Sequence, residues 1–354
     1  MKKMINIKLF ILLSIFYIGC SANKENTSLN NVTIVKNEAL QKVDVLVNDT
    51  LFTSFLYTEK IPDLTKPVLY PIISADGSLI TRGFPLEPRP AERTDHPHHS
   101  GMWLTYGDVN HIDFWGNSTA IPKDQWGRMG WIKNTKIGAI SSGKGKGSLK
   151  VSMDWEDSKN RTLLKEKTHF DFKAGENYRI IDRVTTLTAQ KDTVIFYDPK
   201  EGLMGIRVNR ALELPSEKPV VLSDAHGNKT EVAKMDNTGV TGNYLNSNGV
   251  EGLDVWGKRA DWVSLYGKID NKDVAVIIFD YPDNPGHPSY WHARGYGLFA
   301  VNPLGQKIFS KGKEELNLTL NPGKSVTFRY RVLIWSGIIN KTEIDKFYQK
   351  YIDK

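Results

Sequence analysis

Three of the eight histidines fall within four positions, in the run Arg89-Pro90-Ala91-Glu92-Arg93-Thr94-Asp95-His96-Pro97-His98-His99-Ser100-Gly101-Met102-Trp103. If Asp95 to His99 is extended, His96 and His98 face one side and His99 the other. Two imidazoles at that spacing can share a divalent metal, with His96 and His98 as its ligands. Alternatively, one works as acid/base while Asp95 or Glu92 orients it. The plainer reading is a polar loop whose histidines satisfy backbone groups. Clustered imidazoles beside Arg, Asp and two tryptophans are costly to keep without a use, which favours a site. Tyr106, Asp108, His111, Asp113 and Trp115 follow closely.

A second stretch, from Asn284 to Gly297, combines Trp291, His292, Arg294 and Tyr296 on a turn that leads into a strand. Rim packing is its competing reading. A third places Glu201 beside Gly202, ahead of an apolar run that Arg207 interrupts. A strand-end glutamate facing solvent accounts for Glu201 as well. A site assembled from such loops over one sheet is a common arrangement.

Imidazoles suit proton abstraction next to a carbonyl, and arginine stabilises a developing oxyanion. The expected roles are His98 or His99 as base, His292 as acid, Glu201 as helper, and Arg93 and Arg294 as substrate clamps. Arg89, Glu92, Asp108, Asp113, Trp115 and Trp291 complete the expected substrate contacts. Indole faces stack on the C–H faces of sugars while charged and imidazole groups bind hydroxyls. The expectation is an enzyme acting on a sugar or glycan fragment by cleavage, elimination or epimerisation. A metal on His96 and His98 would be its Lewis acid. The alternative is a glycan-binding surface with no titrating pair.

Several classes are absent by motif. There is no phosphate-binding Walker loop, no dinucleotide fingerprint, no Gly-x-Ser-x-Gly elbow and no His-Glu-x-x-His. The formal charge of +7 is spread without a long basic run, so nucleic acid is not an expected partner. A mild attraction to acidic sugars or membrane headgroups is compatible with it.

The elements that must hold these groups read as strands. Alternating apolar runs are expected at 42–47, 51–56, 68–74, 149–155, 162–172, 178–187, 194–197, 262–269, 274–279, 296–301, 316–320 and 326–335. Asn48-Asp49-Thr50 and Asn321-Pro322-Gly323-Lys324 read as hairpin turns, and Ser141 to Gly147 as a flexible loop. One helix is clear, Thr342 to Ile352, capped by Asn340 or Thr342 with Ile344, Phe347, Tyr348 and Tyr351 on one face. The expected class is all-β: a large antiparallel β-sandwich with a short C-terminal helix, forming one domain over 32–354.

The chain opens with Lys2 and Lys3, then a short, broken apolar run ending in Tyr17-Ile18-Gly19-Cys20. This predicts a lipoprotein signal over 1–19, acylation of Cys20, and a polar tether over 20–31. The protein is then expected to be lipid-anchored in the cell envelope, at the periplasm or outer membrane. Cys20 is the one cysteine, so no disulfide staples the domain. The oligomeric state stays open.

Thr94-Asp95-His96-Pro97-His98-His99-Ser100-Gly101, Gly107-Asp108-Val109-Asn110 with Asp113-Phe114-Trp115, Lys200-Glu201-Gly202, and Trp291-His292-Ala293-Arg294-Gly295-Tyr296-Gly297 with Asn302-Pro303-Leu304-Gly305 resemble the PmoA-like family of exported bacterial proteins. The resemblance spans nearly the whole mature chain. The transmembrane helices of a true methane monooxygenase subunit are absent, so copper and methane chemistry are not implied. A weaker similarity is to galactose mutarotase-like supersandwich proteins. It implies a sugar surrounded by an arginine (Arg82 or Arg93), His98-His99 and His292. The late glutamate of that pattern is not reproduced, because Glu201 is central.

Overall fold

The computed structural model describes residues 30–223 and 228–353. Cys20, the signal and most of the tether lie outside them. The last two tether positions already belong to the fold: Asn30 Nδ2 donates to the Gly175 carbonyl at 2.9 Å, and Asn31 pairs with Lys144.

Two antiparallel sheets dominate. The first has nine strands, in the spatial order Tyr290–Ala293, Leu298–Asn302, Met204–Arg207, Met102–Leu104, Val68–Ile72, Thr50–Leu56, Lys42–Val47, Asn31–Asn37 and Gly143–Lys144. The second has eight, in the order Asn243–Asn246, Trp262–Ile269, Lys272–Asp280, Ser325–Ser336, Tyr178–Ala189, Thr162–Ala174, Lys146–Asp157 and Gly130–Ser141. Alternation along each strand sends one set of side chains between the sheets. Val43, Val45 and Val47 are buried and their neighbours half-exposed, as period-2 patterning requires. Aromatic rings join the layers. Phe52 meets Phe172 edge-on with centroids 6.3 Å apart, and Phe55 meets Phe170 at 6.0 Å. The chain is therefore the antiparallel β-sandwich that its alternation announces.

The C-terminal helix runs Lys341–Ile352, with Asn340 and Glu343 forming a reciprocal capping box. Its Ile344, Tyr348 and Tyr351 cover the outer face of the eight-stranded sheet around Trp262 and Phe279. Among the described residues no helix is long and apolar enough to cross a membrane.

Two local expectations are corrected. Asn321 to Lys324 does not close a hairpin, because Leu318–Leu320 pairs with Val194–Phe196 while Ser325–Ser336 enters the large sheet. The glycine-rich stretch after Ser141 is tied down rather than free. Gly143–Lys144 pairs with Asn31–Asn37 and so links the edge of one sheet to a hairpin of the other.

One end of the nine-stranded sheet carries the histidine clusters. Met102, Leu104, Met204, Ile206, Trp291, Ala293, Phe299 and Val301 point into the sandwich core. The alternate residues must point to the outer face. Register there aligns His292 with Ala300, Ala300 with Gly205, and Gly205 with Trp103 across four strands. The small residues in the middle of this row let indoles lie on the sheet. A Cβ at Gly205 would come 2.8 Å from Trp103 and 3.1 Å from Trp115. Long loops then roof this face.

Replacing Phe170 by Ala removes a ring from the junction of the two sheets. The expected loss is about 3–5 kcal/mol of unfolding free energy, read from the denaturant midpoint at unchanged slope.

Candidate functional site

The segment from Arg93 to His99 is gathered around two buried guanidiniums. The backbone N–H of Arg82 donates to the Arg207 carbonyl at 3.0 Å, which sets the two arginines side by side on the sheet. Arg82 Nη1 donates to the carbonyls of Arg93 and Asp95 at 3.2 and 2.8 Å and to Asp95 Oδ1 at 3.1 Å. Its Nη2 donates to the carbonyls of His96 and His99 at 2.9 and 3.0 Å. Arg207 Nη2 reaches the same Asp95 Oδ1 at 2.7 Å. Burial works to raise the Asp95 carboxyl, but Arg207, a hydrogen bond with His96, and Arg82 together hold it well below the ordinary carboxylate range.

This anchoring bends the segment out of the extended form. His96 adopts φ +46° and its carbonyl accepts from the His99 N–H at 3.0 Å. The three imidazoles are therefore not split between two sides. Ring centroids lie 5.6 Å apart for His96 and His98, 4.3 Å for His98 and His99, and 4.9 Å for His96 and His99.

They line a cavity of about 450 Å³ together with Asp113, Trp115, Lys200, Glu201, His292, Arg294 and Tyr296. Residues nearly two hundred positions apart in the chain meet there. The size falls within the range of small-molecule sites, about 300–1,000 Å³.

His98, His99 and His292 are held neutral. His99 Nε2 accepts from the Trp115 indole N–H at 3.1 Å, and its Nδ1 faces an Arg207 N–H at 3.2 Å. Both neighbours can only donate and a neutral imidazole accepts at one nitrogen alone, so one of the two contacts is a hydrogen bond, and protonation would remove that one as well. Burial, then the charges at His98 and Arg207, push its pKa well below the ordinary value. Burial and Lys66 do the same to His98. His292 Nδ1 donates to the Lys200 carbonyl at 2.8 Å, which leaves its Nε2 lone pair for the cavity. Burial and Arg294 lower its pKa to about 3.

The carboxyls behave differently. Asp113 Oδ1 accepts from the backbone N–H groups of Trp115 and Gly116, both at 2.8 Å. Burial nevertheless raises its pKa against those hydrogen bonds, and Glu201 adds to the rise. Glu201 forms an ion pair with its neighbour Lys200. One cavity thus holds a carboxyl biased towards its acid form and an ion-paired carboxylate.

The chain matches, over residues 42–349, the model of a family described as of unknown function, DUF6807. This protein belongs to the DUF6807 family. That description assigns no activity, and the match lends no support to the PmoA-like resemblance. No curated protein matches. Among solved structures the chain is similar to the galactosidase domain of an alpha-galactosidase-sucrose kinase, at 9% identity and TM-score 0.36, covering 86% of this chain and 42% of that one. It is similar to a galactose mutarotase-like protein from Clostridium acetobutylicum, at 9% identity and TM-score 0.36, covering 88% and 100%. It is also similar to a galactose mutarotase related enzyme from Lactobacillus acidophilus, at 10% identity and TM-score 0.28, covering 87% and 97%. Likenesses this remote assign no activity.

In this family member, the expected site residues separate into two groups. His96, His98, His99, His292, Glu201, Asp113, Trp115 and Arg294 converge on the cavity. The others do not line it. Arg89 donates to the Thr81 carbonyl and the Tyr70 hydroxyl, and Glu92 accepts the backbone N–H groups of Gly83 and Phe84. Asp108 caps a turn at the His111 N–H, and Trp291 is fully buried with its N–H on the Ala260 carbonyl. Arg93 pairs with the buried Glu213 at 2.6 Å.

Two expected roles change for physical reasons. His292, expected as an acid, has its pKa lowered to about 3 by burial and Arg294, so near neutral pH it offers the cavity an Nε2 lone pair rather than a proton. The metal pair of His96 and His98 lacks a ligand set. Their rings meet edge to face, His96 Nδ1 lies 3.2 Å from Asp95 Oδ2, and among the described residues no three His, Cys, Asp or Glu side chains could hold a metal ion.

Sequence reasoning missed Lys66. It is buried, donates to the His98 carbonyl at 2.8 Å, and its pKa is lowered to about 7 by burial. Lys66 sits in the run Leu64-Thr65-Lys66-Pro67-Val68, where nothing local marks it. Arg207 was signalled by its interruption of an apolar run.

Removing the charge of Asp95 strands two buried guanidiniums. Asp95→Asn is expected to lower stability on the order of 3 kcal/mol at neutral pH. Because the folded pKa is depressed, the contribution of Asp95 is present above about pH 4 and is lost as pH falls. The variant should therefore show a flatter acid limb than wild type in denaturant titrations from pH 7 to 3.

Proposed function

We propose that the cavity takes a sugar ring and that Asp113 and Glu201 move protons on it, making the protein a carbohydrate-active enzyme. The observation that carries this reading is the pair of carboxyls in unlike environments within one cavity. Such a pair divides acid from base. Asp113, half-buried and shifted towards its acid form, donates its proton to an acetal oxygen as the C–O bond breaks. Glu201 accepts a proton from the attacking water in glycoside cleavage, or from the anomeric hydroxyl in epimerisation. His98 and His292, uncharged, receive sugar hydroxyls through ring nitrogens, and Trp115 and Tyr296 supply aromatic walls. Arg294 stabilises negative charge that develops beside His292.

The neutrality of the imidazoles is also what a purely glycan-binding site would show, and turnover separates the two readings. On a panel of glycosides and reducing sugars, Asp113→Asn and Glu201→Gln are each expected to lower kcat about 10²–10⁴-fold while sugar binding persists. Wild-type kcat/KM should fall on the alkaline side as Asp113 loses its proton, and this limb should be absent in Asp113→Asn. No inflection from His98, His99 or His292 near pH 6.5 is expected. Sugar binding without any product from wild type would establish the binding reading instead. An unsaturated product would point to elimination.

Acylation of Cys20 belongs to the same proposal and would hold the enzyme at the cell envelope. Its support is the apolar run that ends in Ile18-Gly19-Cys20. Radiolabelled palmitate should enter the wild-type chain in bacterial cells and fail to enter Cys20→Ser. Equal labelling of both overturns the anchor.

A further inference from the structure

A second cavity, of about 420 Å³, adjoins the first, and Arg294 and Tyr296 line both. The two are of similar volume, and the shared side chains make them neighbouring ring-sized compartments. The outer one is lined by Arg93, Lys218 and Arg294, and among the described residues no Asp or Glu side chain lines it. Its cations are not equally available. Arg93 is neutralised by the buried carboxylate of Glu213. Arg294 has no carboxylate partner among the described residues. Its guanidinium packs over two rings instead, 5.8 Å from the Trp256 centroid and 5.7 Å from that of Tyr296. Aromatic faces hold the cation without consuming its N–H donors. Lys218 likewise has no acidic partner among the described residues, and the adjacent Glu217 is paired with Lys234. Leu253, strongly exposed, adds an apolar wall.

Two unneutralised cations around an aromatic and apolar floor describe a receptor for a ring that carries an anion. We propose that the outer compartment binds an acidic sugar residue, with a carboxylate or sulfate substituent held by Arg294 and Lys218. The substrate class is then an acidic oligosaccharide spanning both compartments. This rests on the reading of the first cavity as a sugar site. Arg294 is well placed for the task because its planar fork donates to both oxygens of a carboxylate or sulfate.

Calorimetric titration tests this with defined probes. They are glucose and galactose, glucosyl-glucose disaccharides in α and β linkage, the corresponding disaccharides bearing glucuronic acid, and their 6-sulfated counterparts. An acidic disaccharide is expected to bind about ten- to a hundredfold more tightly than its neutral counterpart. Raising salt should erode that margin, since Lys218 is exposed. Lys218→Ala should shrink it, and Lys218→Ala combined with Arg294→Met should abolish it. Preference for glucuronate over sulfate, or the reverse, identifies the substituent and supports the proposal either way. Equal binding of neutral and acidic disaccharides overturns it and leaves the first cavity's reading intact. Failure of every sugar, neutral monosaccharides included, overturns that reading and this proposal with it.

Discussion

Two arginines buried side by side repel each other and have lost their water, so they persist only where anions and carbonyl oxygens surround them. Arg82 and Arg207 are almost wholly buried, and a single segment, from Arg93 to His99, supplies that surround. The consequence runs outward from there. With its carbonyls and the Asp95 carboxylate held by the arginines, the segment is fixed in place, His99 resting against Arg207 and all three imidazoles lining the cavity. The cavity exists where those imidazoles meet the edge strand carrying His292. The arginines are tied to the sheet by backbone pairing of Thr81 with Val208, so the site inherits the rigidity of the sandwich.

Desolvation then acts in opposite directions on neighbouring groups. It favours whichever form is uncharged, so imidazoles lose protons and carboxyls keep them. His98, His99 and His292 are neutral for this reason, while Asp113 is shifted towards its acid form. On the function proposed above, these imidazoles position hydroxyls and the carboxyls carry the proton transfers. Arg294 and Lys218, which have no acidic partner among the described residues, line the second cavity, so the two neighbouring cavities differ in character.

Much of the sandwich was legible along the chain. Lys42–Val47 and Trp262–Ile269 fall where alternation placed them, and the helix begins at the predicted cap. Alternation reports one buried face, which a strand in a two-layer fold always has. Pairing partners were less legible. The turn at Asn321 to Lys324 looks like a hairpin because its local chemistry is that of a tight turn, yet its two strands join different sheets. Short strands such as Met204–Arg207 and Tyr290–Ala293 escaped notice because both their faces are covered. A doubly buried strand loses the alternation that would reveal it.

The residues of the site divide in the same way. The amino-acid order by itself determined the β-sandwich class, the terminal helix, and the segments that carry His98, Glu201 and His292, because composition and period are properties of a few consecutive residues. Only the tertiary structure decided that these segments meet, that Arg89 and Glu92 serve the loop rather than the cavity, and that Lys66 lies beneath His98. It also decided which groups hold a proton. Burial and the charge of distant neighbours set a pKa, and neither exists until strands far apart in the chain are packed against one another.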